Sequence, residues 1–129
     1  MAGYVMSLRN DRAQKILDDI GATGTLNIMG GTRPATGGAG GAVLGTLNLK
    51  SPAGTLSNAV ISFTKPDDAQ ATGTGTATWA RILDSGGNPL IDLSLSDTTG
   101  AGEVKLNTTA ITPGLWMSVQ AMQVTEGNP

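Results

Sequence analysis

Thr78–Ser96, TWARILDSGGNPLIDLSLS, is the stretch whose reading decides the fold class. In its second half Ile91, Leu93 and Leu95 alternate with Asp92, Ser94 and Ser96. That is the period-two pattern of a strand with one buried face, predicted over Pro89–Ser96. Before it lies Asp84–Asn88, DSGGN, where Gly86 and Gly87 accept positive φ at little cost, so the segment reads as a hairpin loop. The upstream arm is a strand over Thr72–Asp84, centred on Thr78–Leu83. Alternation there places Arg81 on the face of Trp79 and Leu83, its stem over apolar surface and its head in water.

The same pattern extends in both directions. Upstream, strands are predicted over Thr25–Met29 with Leu26 and Ile28 inward, over Val43–Lys50 with Leu47 and Leu49 inward, and over Leu56–Thr64 with Ala59, Ile61 and Phe63 on one face. A Gly-rich loop, Gly30–Ala42, separates the first two, and its Pro34 cannot donate to a ladder; a loop that is mobile or ordered by a partner is expected. Ser51–Gly54 is a turn, and Lys65–Gln70 a polar loop around Pro66-Asp67-Asp68. Downstream, Asp97–Gly102 is a turn-rich loop, Glu103–Asn107 a strand with Val104 and Leu106 inward, and Ile111–Gly114 a turn. In the last predicted strand, Leu115–Thr125, Met117, Val119 and Ala121 compete with Trp116, Met122 and Val124 for the core. A bulge, or burial of both faces, resolves that conflict.

One segment has a different period. Ala13, Ile16, Leu17 and Ile20 fall at i, i+3, i+4 and i+7, predicting a helix over Leu8–Ile20. Ser7 or Asn10 can cap its start and Gly21 can end it. Arg9, Arg12 and Lys15 precede Asp18 and Asp19, the order that opposes the helix dipole. The residues leave open whether the helix packs on its own sheet or on a neighbour. About seven or eight short strands and one leading helix read as a mainly β chain. The expected architecture is a single-domain antiparallel β-sandwich, jelly-roll-like, with residues 1–24 as an N-terminal arm and helix and residues 25–129 as the sandwich.

Composition narrows the chemistry. Apolar residues are 39% and charged residues 14% of the chain, against about 45–50% and 25% in typical domains. The core is therefore modest, and self-association is expected to supply part of the stability. A net charge of −2 lacks the basic footprint that nucleic acid requires. Met1–Arg12 has no apolar h-region, and no run reaches membrane-span length. With no Cys and no His, Ser–His–Asp and Cys–His arrangements and the usual zinc sites cannot be built. Asp67, Asp68, Asp92 and Asp97 are read as turn and surface residues, since the DTTGAGE loop lacks the alternating acids of an EF-hand. The glycines of Gly37–Gly41 complete no phosphate-binding motif. No enzyme, metal or cofactor is expected. Among four aromatics, both tryptophans are expected in the core rather than on a sugar-binding face.

Three runs carry a resemblance: Leu8–Ala13, LRNDRA; Gly30–Gly38, GGTRPATGG; and Thr76–Ile82, TATWARI, with the closing Val124–Asn128, VTEGN. In that order they resemble a family of short virion structural proteins of tailed bacteriophages, from about Met6 onward. The resemblance implies a capsid decoration (cement) protein, made in the host cytoplasm and bound to the capsid surface. Its implied partners are the major capsid protein and further copies of itself, as a trimer, with no nucleic acid and no membrane. It implies contact through the N-terminal segment and the loops, with Tyr4, Val5, Met6, Leu8, Arg9, Arg12, Ile16, Arg33 and Pro34 as candidate partner contacts. A tail- or fibre-associated module binding another virion protein or a host glycan is the competing class.

Overall fold

A computed structural model describes residues 5–21, 23–32, 38, 43–50 and 53–125. The elements in chain order are α1 (Met6–Ile20), β1 (Thr25–Gly30), β2 (Val43–Asn48), β3 (Gly54–Ser57), β4 (Val60–Phe63), β5 (Ala69–Gln70), β6 (Gly75–Leu83), β7 (Pro89–Asp97), β8 (Val104–Leu106), β9 (Ala110–Ile111), β10 (Trp116–Met117) and β11 (Val119–Thr125). The chain is mainly β, as expected. Among the described residues one curled sheet runs β2-β1-β6-β7-β8-β11-β4-β3, β9 adds to β6, and β5 and β10 form a separate ribbon.

The hairpin of Thr78–Ser96 lies inside this sheet, between β1 and β8. β6 and β7 pair antiparallel, with Ile82 opposite Ile91 and Arg81 opposite Asp92. Between them the Asp84 carboxylate accepts hydrogen bonds from the Gly86 and Asn88 amides, both at 2.9 Å. The Asn88 amide is the foremost of the hydrogen bonds that hold this carboxyl below its ordinary 3.8. Only Gly87 takes positive φ, at 82°; the side-chain cap leaves Gly86 in an ordinary conformation. Ala80 and Ile82 look into the main core with Leu26, Ile28, Leu44, Leu47, Leu93, Val104 and Leu106. Trp79 and Arg81 occupy the other face.

Two expected strands are instead broken. Leu56–Thr64 is split by Asn58-Ala59, at φ 50° and 63°, with Ser57 directly opposite Val60. This is the two-residue hairpin turn with both central residues left-handed. Asn58 is a favoured occupant, but Ala59 stands where glycine is usual and carries a conformational cost of about 1–2 kcal/mol. Two features hold it there. Ala59 is fully buried, and its N–H donates to Asn10 Oδ1 of α1 at 2.7 Å. The expected Leu115–Thr125 strand divides at Ser118 into β10 and β11. The competition for the core is resolved as one of the two expected alternatives, a bulge between Val119 and Ala121. It reverses the phase, so Met117 and Val119, then Met122 and Val124, are all buried.

The antiparallel expectation fails at one pair: β7 and β8 run parallel, with Leu95 opposite Val104. Parallel neighbours normally need a crossover of a dozen or more residues, and here residues 98–103 suffice. The loop folds back along β7. Asp97 Oδ1 accepts the Thr99 and Gly100 amides and the Thr99 hydroxyl, and these bonds push its carboxyl below the ordinary 3.8, the Thr99 hydroxyl first. The Gly102 amide donates to Ser96 Oγ, and Ser94 and Glu103 bond each other reciprocally.

The helix starts earlier than predicted, at Met6, so Ser7 and Asn10 lie inside it and neither caps it; Val5 precedes it without a side-chain cap. It packs on its own sheet, against β3, β4 and β7. Ala13 and Ile20 are fully buried, and Ile16 and Leu17 flank the core. The predicted stripe is therefore the packing face. Its end is tied to the hairpin: Ser85 Oγ donates to the Ile20 carbonyl and accepts the Thr23 amide, with Gly21 at φ 69° between them. Asn10→Ala is expected to cost about 1–2 kcal/mol in urea unfolding, since it strands the Ala59 N–H. A cost below about 0.5 kcal/mol would mean that the β3–β4 hairpin does not lean on the helix.

Candidate functional site

The first turn of α1 is the most apolar exposed surface described. Val5 is 69% exposed, and Met6 and Leu8 are each 42% exposed. Met6 is in helical phase with Ala13 and Ile20, which are fully buried. Its exposure means that the first turn projects past the sheet covering the later ones. Leu8 and Arg12 lie four apart, on the helix surface away from that face. The structure thus brings Val5, Met6, Leu8, Arg9 and Arg12 to one end of the helix. Arg9 is half-buried and Arg12 exposed. Ile16 is packed beside the core, so its role is at least partly internal. Tyr4, Arg33 and Pro34 lie outside the described residues.

A second cluster lies on the outer face of β6, and sequence reasoning placed it wrongly. The Arg81 head is not in water: its side chain is 7% exposed and pairs with an Asp92 side chain that is 1% exposed. Nε donates to Oδ1 at 2.7 Å and Nη2 to Oδ2 at 3.2 Å, a bidentate geometry. The hydrogen bond to Asp92 raises the Arg81 pKa above its ordinary value. The guanidinium sits 5.0 Å from the Trp79 ring centroid. The physical cause is register, which sets the two opposite charges against each other on neighbouring strands.

This cluster holds the described points of the Gly-rich loop. Trp79 Nε1 donates to the Gly30 carbonyl at 3.3 Å, Thr78 Oγ1 to that of Gly31 at 2.6 Å, and Arg81 Nη2 to that of Gly38 at 2.7 Å. Residues 33–37 and 39–42, on which the expectation of mobility chiefly falls, lie outside the described residues. Through its pair with Asp92, Arg81 is held in place to fix the Gly38 carbonyl.

The other acidic residues singled out in the sequence, Asp67, Asp68 and Asp97, are also engaged locally. Asp67 pairs with Lys50 and Asp68 with Lys65, both on the surface, where such pairs contribute little. A trough of about 600 Å³ is lined by Ser62, Phe63, Glu103, Lys105, Met122 and Gln123 among others. Its charged groups are directed elsewhere, since Glu103 accepts from Ser94 and Lys105 donates to the Gly100 carbonyl. Among the described residues no three Cys, His, Asp or Glu side chains gather where a metal could bind. No described helix is long and apolar enough to cross a membrane.

The tryptophans divide. Trp79 is 1% exposed, as expected, but Trp116 is 58% exposed, contrary to its expected place in the core. Met117, its neighbour, is fully buried in the space that Gly45 leaves, where any side chain would collide with Met117 Cε. Successive strand side chains face opposite ways, so burying Met117 turns Trp116 outward. Comparison of the chain with family models, with curated proteins and with solved structures finds no match.

Proposed function

We propose that the chain is a phage virion structural protein, a capsid decoration protein that binds and stabilises the lattice of the major capsid protein. The observation that carries this reading is the exposed start of α1. Val5, Met6 and Leu8 offer apolar surface on a helix whose later turns are anchored by Ala13 and Ile20. A few large apolar side chains buried on association contribute much of the free energy of a protein contact, and Leu8, on the side of the helix away from the sheet, is placed to be one of them. Each contact is small, and repetition over a shell multiplies it. The resemblance to tailed-phage virion proteins supplies the setting, a capsid surface, and the expected self-association as a trimer. In this reading the curled sheet is a β-sandwich of jelly-roll type, a rigid body for display.

Removing residues 1–20 would take Ala13 and Ile20 out of the core, so a point substitution is the cleaner test. Leu8→Asp is expected to weaken binding to purified capsid shells by roughly thirtyfold in co-sedimentation, with an unchanged melting temperature. Binding equal to that of the unaltered protein would remove the helix start from the contact. Exposure of Trp116 favours a second reading, a tail- or fibre-associated module that binds another virion protein or a host glycan.

A further inference from the structure

We infer that Trp116, with Gln70 directly across the ribbon, forms a stacking site for a neutral pyranose ring. The inference rests on the glycan-binding part of the second reading and is independent of whether the protein sits on head or tail.

The ring is carried on a backbone fixed from several sides. Trp116 pairs with Gln70 and Met117 with Ala69. The Asn107 carboxamide donates to the Trp116 carbonyl and accepts the Ser118 amide, both at 3.0 Å. Upstream, Thr112–Leu115 is a turn with Pro113 second and Gly114 third at φ 84°, closed by the Leu115 amide on the Thr112 carbonyl at 3.1 Å. The Ala71 amide bonds the Leu115 carbonyl at 2.8 Å. Below, Met117 is buried against Gly45. A ligand meeting this indole therefore has little backbone left to order.

The chemistry around the ring selects the ligand class. An indole face is broad, flat and apolar, and it matches the C–H face of a pyranose. A carboxamide beside it can both donate to and accept from hydroxyl groups. Gln70 is exposed and shares the ribbon face with Trp116, because directly opposed residues project to the same side. The side chains paired with or bonded to the ribbon strand, Gln70 and Asn107, are uncharged. Among the described residues no charged group is bonded to this strand to favour a phosphate or a carboxylate, so a neutral sugar fits better than an acidic one. The site is also separate from the helix start. α1 packs on β3, β4 and β7, whereas the ribbon packs on β2, so one surface can hold the particle while the other meets a glycan.

The test is intrinsic fluorescence of the full chain titrated with maltotetraose, cellotetraose and tetra-N-acetylchitotetraose. Trp79 is buried and serves as the unchanging emitter. At least one sugar is expected to shift the emission to shorter wavelength and saturate at millimolar concentration. Trp116→Ala should weaken binding about tenfold or more, and Gln70→Ala about threefold, read by calorimetry with that sugar. Unchanged emission with all three sugars up to roughly 50 mM overturns the inference, as does a shift that survives Trp116→Ala. If no sugar responds but Trp116→Ala reduces capsid binding, the ring belongs to a protein contact: the sugar site is lost while the virion reading stands. If Trp116→Ala loses the sugar and keeps capsid binding, both stand.

Discussion

Asp92→Ala is expected to lower the unfolding free energy by about 3–5 kcal/mol, as much as emptying a large core position. The Arg81 side chain, 7% exposed in the intact protein, would keep one carbonyl, that of Gly38, as its described acceptor. A buried cation without its carboxylate pays the desolvation penalty of burial with little in return. The loss should include loosening at Gly38, whose carbonyl Arg81 holds, visible as faster amide exchange at that residue. The double substitution R81M/D92L removes the charge from both sides and is expected to recover most of the loss, because well-packed apolar pairs often replace buried ion pairs without cost. Equal losses in single and double variants, by urea unfolding, would show that packing volume rather than the unpaired charge is responsible.

Gly102→Ala comes second, at about 3 kcal/mol. A Cβ at this position would lie 2.5 Å from the Ser96 amide nitrogen and 2.7 Å from the Leu95 carbonyl carbon. Both are backbone atoms of β7 and neither can swing away. The short return between β7 and β8 exists only because residues 100–103 lie flat on β7, so the substitution should push the loop off and weaken the parallel pair. The expected sign in hydrogen exchange is loss of protection at Val104–Leu106 with β6 still protected. Wild-type stability for Gly102→Ala would mean that the loop can move aside without disturbing the sheet.

Much of this fold was legible in the residues, and the failures have identifiable causes. The β6–β7 hairpin, the Ala13–Ile20 stripe and the phase conflict in Leu115–Thr125 are local patterns, and each appears where local spacing put it. Arg81 and Asp92 were misplaced because each was judged within its own strand. Arg81 stands three residues before Asp84 and Asp92 four after Asn88, so counting out from the loop sets Arg81 opposite Ile91; the register shift between Ile82 and Leu83, which alternation does not reveal, brings the two charges opposite each other. The turn at Asn58-Ala59 was missed because its second residue is alanine, held at positive φ by a helix residue 49 positions away. The parallel direction of β8 leaves no trace in alternation, which is the same for either direction. Trp116 was assigned to the core because its neighbour Met117 and the space at Gly45, 72 residues apart in the chain, claim that place only after folding. Of the candidate contacts, Val5, Met6, Leu8 and Arg12 are exposed at the helix start, on more than one of its faces, whereas Arg9 is half-buried and Ile16 turns toward the core.

The proposed virion role brings the molecule's parts into one account: a small β body, a helix anchored by Ala13 and Ile20 with an apolar exposed start, and Asp67, Asp68, Asp92 and Asp97 engaged by their own neighbours. It is tested most directly by the number of copies in purified particles of a phage whose genome carries this sequence, from quantitative gel densitometry against the major capsid protein. A decoration protein should be present in on the order of hundreds of copies, in fixed proportion to a symmetric shell. Absence from the particle, or a number in the few tens or below, would contradict that role.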